Sequence, residues 1–461
     1  MSPSCKDGSV DSEIVNSLPQ PSLPRLSRTS IIRLSADICV VVFGIVTSSI
    51  TARVLGPASK GALSSLLYTA ALASYACSLG LGDAAVILVG RGSSTLKTAV
   101  STTLGTLAFS TGIGIGLLWL AAGREFGFAA DSMSAVTLAS FAVLPLSVVS
   151  VVVLMFLLSQ EKVNVTSVFY GTGSIVATIC TYIFVAVIHF GVFGAVLAQA
   201  IGTGFIAFGL LIAAQRTKIP LAIGLDWAYL KQALRLGVFL DSGYVIVALS
   251  QRLDQILVLH LSGAHGAGQY SIALSIGQLS SYAPLALALA AFSRLAYLGA
   301  EESRAVMTNT FRVGIAASIL GTGLLLLVSP FAIPLVFGPA FRPAIVPTVI
   351  LLPAGILTSS QWMLSRAAVA RGRSVVVFWS YGLSLVVMTA IDFMLVRRLG
   401  PKGASIGSDA GSTVGFVICI AWYKWIEGEL DLRRLLPRAG DFHKVLILPI
   451  QLLKQLRVTS S

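Results

Sequence analysis

The chain has 461 residues, with 32 Lys plus Arg, 19 Asp plus Glu, a formal net charge of +13 and 56% apolar side chains. Only 11% of its residues are charged, against about 25% in soluble domains; too few polar groups exist to coat a water-soluble core, so lipid must be the solvent for most of its surface. The charge does not read as nucleic-acid binding, because the basic residues sit between apolar runs and not in a patch interleaved with aromatics.

A hydrocarbon core about 30 Å thick needs roughly 20 apolar helical residues per crossing, and the chain divides on that length. Residues 1–32 are a polar tail with Pro19, Pro21 and Pro24 and no apolar core of a signal peptide, so the first span must direct insertion. Spans are expected near 33–53, 61–84, 98–122, 134–158, 166–189 and 192–215, then 236–261, 268–292, 305–329, 345–366, 374–396 and 402–424. Val163 to Gln215 illustrates the division: 53 residues without Asp, Glu, Lys or Arg must hold two helices broken near His189-Phe190-Gly191. The chain therefore reads as all-α and polytopic, with a six-helix lobe at 33–215, a linker at 216–235, a second six-helix lobe at 236–424 and a basic tail at 425–461. Most of the 32 Lys and Arg fall on the side of the first residue, which by the positive-inside rule places both termini in the cytoplasm. In the tail, Arg433, Arg434, Arg438, Lys444, Lys454 and Arg457 lie among leucines and isoleucines, which suits either plain topology bias or an interfacial helix on anionic headgroups.

The two lobes look like copies. A shift of 207 residues lays Gly56, Gly61, Ser64, Leu67, Leu72, Ser74, Tyr75 and Ala76 on Gly263, Gly268, Ser271, Leu274, Leu279, Ser281, Tyr282 and Ala283; a shift of 209 lays Gly191, Gly194, Ala195 and Gly202 on Gly400, Gly403, Ala404 and Gly411. An even number of spans per copy makes the halves parallel, which is a secondary-transporter plan. The small residues at every fourth position of the sixth and twelfth spans read as close packing within each half.

Ionisable groups at membrane depth are costly and face a wet cavity or a partner. In "FLDSGYVIVALSQRLDQILV" Asp241 and Arg252 share a helix face, too far apart to pair, while Gln251 and Gln255 flank Arg252 and Asp254 points away from it. One reading has Arg252, Gln251 and Gln255 lining an aqueous cavity and touching polar cargo, with Asp254 orienting neighbouring groups. The other has Arg252 and Asp254 as a structural knot, each bound to another helix of its own half. The eighth span adds a polar stripe of Ser271, Ser275, Gln278 and Tyr282, echoed by Ser64, Tyr68 and Tyr75 in the second; these suit sugar hydroxyls, or equally interhelical hydrogen bonds. Asp409 and Asp37 are candidates for ion coupling, although Asp37, Asp83 and Asp392 lie near span ends where interfacial water is the default.

The remaining inventory is thin. The cysteines Cys5, Cys39, Cys77, Cys180 and Cys419 form no CxxC pair, the four histidines lack ligand spacing, and no GxxxxGK[ST] occurs, so no metal, cofactor or built-in ATPase is expected.

"ARVLGPASKGALSSL" after the first span and "QRLDQILVLHLSGAHGAGQYSIALS" across the seventh and eighth resemble the polysaccharide and oligosaccharide flippases of the multidrug/oligosaccharidyl-lipid/polysaccharide exporter superfamily. The resemblance extends in span count and loop placement over most of residues 30–424. It implies two lobes arranged as a V, alternating access, and passage of a lipid-linked sugar chain across the cytoplasmic membrane without covalent chemistry, with glycosyltransferases and a polymerase as functional partners. Such proteins often line the cavity with several cations, whereas here Arg252 is the one basic residue well inside a span, with Arg53, Lys60 and Arg366 at span ends. A cation-coupled drug exporter of the same superfamily would need a deep acid in the N-terminal half, where only Asp37 and Asp83 are available. A membrane glycosyltransferase or polymerase would need a large outer loop, and the outer loops are short.

Overall fold

The computed structural model describes residues 28–125, 133–160, 162–217, 219–220, 222–282, 284–285, 300–370, 375–427 and 435–447. Most of the expected N-tail and the end of the basic tail lie outside the described residues. Among the described residues the chain is helical and contains no strand. The helices are α1 Arg28–Ser78, α2 Leu81–Gly90, α3 Leu96–Glu125, α4 Met133–Leu138, α5 Leu144–Ser159, α6 Val163–Thr181, α7 Gly191–Arg216, α8 Trp227–Gly277, α9 Ala300–Phe337, α10 Ile345–Ala370, α11 Val375–Leu399 and α12 Pro401–Glu427. A π turn at Ala139–Val143 joins α4 to α5 as one crossing, and another at Tyr182–Val187 extends α6.

Among the described residues ten stretches are long and apolar enough to span a bilayer. Two of them, Ser35–Gly90 of 56 residues and Val245–Tyr282 of 38, are hairpins, which brings the crossings to the twelve expected. The second hairpin is proved by Tyr270, whose hydroxyl lies 2.5 Å from Asp254 Oδ2; in a straight helix those residues would be about 24 Å apart. The first bends likewise, for Lys60 Nζ reaches Thr51 Oγ1 at 2.9 Å across a stretch that a straight helix would draw out to about 14 Å.

The bends fall at Gly56, with φ 73° and ψ 175°, and at Gly263, with φ 79° and ψ 173°. That backbone region is closed to residues with a Cβ. The two glycines are the pair matched by the 207-residue shift, so the duplication is visible in backbone angles as well as in residue types. At the 209-residue shift, Gly191 and Gly400 match in the same way, with φ 61° and 58°.

Between lipid-bathed helices there is little hydrophobic drive to associate, so close approach of small residues decides what touches. Gly202 packs on Ala177, and Gly411 on Ser384 and Met388, each within its own half, as the small-residue ridges predict. The halves meet along α1 and α8. There a Cβ on Gly61 would collide with the Ala264 carbonyl, and one on Gly268 with the Pro57 carbonyl. Pro57 and Ala264 are themselves 207 residues apart, so the seam has a local two-fold axis.

More bonds close the same end. Arg53 Nε donates to Val336 O at 2.8 Å and its guanidinium also reaches Leu335 O, while Ser49 Oγ donates to Val336 O at 2.5 Å. Ala52 is buried beside Ile272, Ile333, Phe337 and Phe341. At the opposite end, α8 begins at Trp227, inside the stretch read as linker. The Asp226 carboxylate accepts the Tyr229 N–H at 3.0 Å as its N-cap, and Gly237 rests on the Leu79 and Gly80 backbone.

Candidate functional site

Between the Gly61–Gly268 contact and the Gly237 contact at the opposite end, the halves also meet through side chains. Arg252 is half-buried on α8 and its guanidinium carbon sits 4.3 Å from the centre of the Tyr68 ring on α1. The contact joins the repeats, so Arg252 is not a knot inside its own half. Tyr282 lies within electrostatic range of Arg252, Tyr68 and Asp37, and Gln251 is exposed beside them. One helical turn or two farther from the closed end, the repeat-related Tyr75 and Tyr282 are 42% and 43% exposed. Matched exposure of matched residues shows that packing leaves the same position open in both copies. A planar cation on an aromatic face, with phenol hydroxyls nearby, can bind a phosphate by paired N–H donors and stack on the apolar faces of sugars.

The seam takes other expected residues out of the path. Gln255, read as a wall of the cavity, is fully buried: its Nε2 donates to Ser65 Oγ at 3.2 Å across the seam and to Ala267 O at 2.9 Å. It braces the closed end. Ser275 donates to Ser271 O, and Ser271 to Gly268 O, each at 2.8 Å, so both hydroxyls satisfy their own helix. Gln278 is half-buried on the same face. Asp241 lies in α8, and its side chain is outside the described residues.

Asp254 points away from Arg252, as its spacing predicts, and is 2% exposed. Its carboxylate accepts from the Tyr270 hydroxyl, from Ser408 Oγ at 3.1 Å and from the Gln255 N–H at 2.7 Å. All three partners belong to the C-terminal half, an arrangement that suits a structural knot and equally an Asp254 that orients Arg252's neighbour Gln255 and a facing helix. Beside it on α11 stands Asp392, within electrostatic range and pressed against Gly407.

Asp392 is a correction. A place near a span end suggested interfacial water, but the residue is 0% exposed and neither carboxylate oxygen has a hydrogen-bond partner among the described residues. Only α11's packing against α8 and α12 puts it there. Asp254 and Asp392 thus bring two buried carboxyl groups together inside the C-terminal half, where ionisable groups are costly and mark functional sites. The copy in the other half is neutral: 207 residues before Asp254 stands Thr47, whose hydroxyl lies 2.7 Å from that of Thr178.

The residues singled out for ion coupling fall elsewhere. Asp37 is exposed near Tyr282, in the cleft. Asp409 is half-buried next to Ser408, with one oxygen lacking a partner. Among the described residues no group of three or more His, Cys, Asp or Glu could hold a metal ion.

A family model described as "Polysaccharide biosynthesis protein" matches residues 26–292. Solved structures match over nearly the whole length. The lipid II flippase MurJ in an inward closed conformation aligns with TM-score 0.71 and 11% identity, over 94% of this chain and 93% of that one. A multidrug resistance MATE family transporter of the MOP superfamily, inward-facing, aligns with TM-score 0.69 and 16% identity, over 86% of this chain and 98% of that one. A MOP superfamily transporter from Pyrococcus furiosus, with a binding pocket of reverse polarity, gives TM-score 0.65 and 17% identity, over 88% and 95%. At such identities the likeness is one of fold. No curated protein matches in sequence.

Proposed function

This chain belongs to the polysaccharide biosynthesis protein family, and we propose that it is a flippase carrying lipid-linked oligosaccharide or polysaccharide repeat units across the cytoplasmic membrane by alternating access. It is a multi-pass membrane protein with a transporter fold. The observation that carries the reading is Arg252 on Tyr68, a cation and an aromatic ring from opposite repeats meeting where the cleft begins. In this reading Arg252 takes the lipid diphosphate, while Tyr68, Tyr75, Tyr282, Gln251 and Gln278 meet the sugars. The lipid chain stays in the bilayer. Both termini lie in the cytoplasm, the Gly61–Gly268 seam is the closed outer gate, and the cleft opens inward.

Movement would separate that seam and bring the inner ends together, hinging each repeat as a body. The Asp254–Asp392 pair supports coupling to a proton or monovalent cation, which would be taken up inside the C-terminal repeat, between α8 and α11. The drug-exporter alternative requires a deep acid in the N-terminal half, where Asp37 and Asp83 stand near span ends and Thr47 with Thr178 takes the place equivalent to Asp254. Glycosyltransferases that build the cargo and a polymerase that consumes it are the expected partners, and no bond is made or broken here.

The test is purified protein in liposomes loaded in one leaflet with a fluorescent lipid diphosphate-linked oligosaccharide. Protein-dependent arrival in the other leaflet is expected. No flipping with the glycolipid, alongside export of cationic dyes, would reverse the assignment.

A further inference from the structure

Beyond α12 the chain returns to the body of the protein. Leu435 is buried against the cluster of Met307, Phe311, Tyr423 and their neighbours, and a helix over 439–447 follows. Asp441 holds that helix in place. Its Oδ2 accepts Arg312 Nε at 2.9 Å and a second guanidinium nitrogen, as well as the Arg438 N–H at 2.9 Å. Arg312 belongs to the span Val306–Phe337, so the clasp draws the tail up to the membrane boundary.

The outward face of this segment has a definite chemistry. Leu436 and Leu446 are each 63% exposed, Arg438 and His443 are exposed as well, and Lys444, whose ammonium lies 3.8 Å from Asp441 Oδ1, keeps 58% of its side chain exposed. Asp441 is the sole Asp or Glu from residue 432 to the end of the chain, and it is turned inward onto Arg312. The level is marked independently by aromatic side chains at the same ends of the neighbouring spans. The Arg366 guanidinium carbon lies 5.0 Å from the Trp362 ring centre, Trp422 meets Tyr423 edge-on, and Trp379 is exposed beside Phe378. Trp and Tyr gather where acyl chains give way to headgroups.

We propose that residues 435–447 form a membrane-surface anchor that binds anionic lipid headgroups, with Leu436 and Leu446 set into the acyl boundary and Arg438 and Lys444 on the phosphates. The Asp441–Arg312 clasp fixes the anchor to the C-terminal half. That half is thereby tied to the leaflet surface while the other moves. The side on which the leaflet lies rests on the topology of the proposed function, and the headgroup chemistry does not.

The experiment is amide hydrogen exchange of 439–447 in the full-length protein, in nanodiscs of phosphatidylcholine alone or mixed with phosphatidylglycerol. Two cations near an anionic surface should slow exchange roughly tenfold or more. The difference should vanish in Arg438→Gln/Lys444→Gln and shrink at high salt, with exchange in the spans unchanged. Equal exchange in the two lipids would overturn the proposal. So would protection that appears only in native membranes and not in either nanodisc, which would point to a protein partner. Protease access to a tag after Ser461, in right-side-out against inverted vesicles, reports the side separately; a tail found outside would sink the topology and leave the lipid result standing.

Discussion

Gly61 and Gly268, 207 residues apart, face each other across the boundary between the repeats, each pressed against the carbonyl of the residue that follows the other hairpin's glycine bend. Because neither has a side chain, the two backbones touch at that point.

Gly61→Val or Gly268→Val should force the seam apart. Overpacking of this kind costs about 1–3 kcal/mol, which corresponds to roughly a 5- to 150-fold shift between conformations. Disulfide trapping of a Pro57→Cys/Ala264→Cys pair would measure it. Undiminished trapping in the valine variants would mean that the seam does not hold the closed state.

Gly56→Ala and Gly263→Ala place a Cβ on a backbone with φ 73° and 79°. Each should lower stability by about 1–3 kcal/mol, with similar losses because the two bends are copies. Thermal unfolding in detergent, followed by tryptophan fluorescence, checks both magnitude and likeness.

Arg252→Ala removes both the cation and its stacking on Tyr68. Transport of the lipid-linked glycan should fall at least tenfold at matched expression, whereas Arg252→Lys, which keeps charge but loses the planar fork, should retain part of it. Equal, full transport in both variants would remove Arg252 from the path.

Asp392→Asn keeps shape and removes a buried carboxylate whose oxygens have no partner. The protein should melt at a higher temperature, because a buried carboxyl group without a hydrogen-bond partner is costly, and transport should lose its dependence on the ion gradient. A lower melting temperature would show that the carboxylate is satisfied by a group it needs.

Asp441 lies outside the spans. Burial alone would raise its carboxyl, but the Arg438 N–H, Arg312 and Lys444 outweigh that and hold it below the ordinary aspartate value, about 3.9. A carboxyl held low in the folded state stabilises fully above that ordinary value and loses the contribution as pH falls through the folded one. The protection of 439–447, measured relative to the intrinsic exchange rate at each pH, should therefore fall below about pH 4, and the fall should be absent in Asp441→Asn, where the clasp is weakened at every pH.

Much of the architecture was written locally. Span number follows from the roughly 20 residues that cross hydrocarbon, and the hairpin bends follow from Gly56 and Gly263 because only glycine adopts their backbone angles. The repeat was legible for the same reason: a copied bend keeps its glycine. Within a membrane helix, though, apolar side chains face both lipid and protein, so no contrast in polarity tells which face is inward. Gln255 and Gln251 occupy one stretch of α8 and read alike, yet packing against Ser65 buried one and left the other open. Asp392 likewise read as interfacial, and the crossing of α11 with α8 and α12 sealed it beside Asp254. Residue types along the chain set the number of crossings, their duplication and the residues too polar for lipid; which of those residues meet was left to tertiary packing, since partners such as Gln255 and Ser65 lie 190 positions apart.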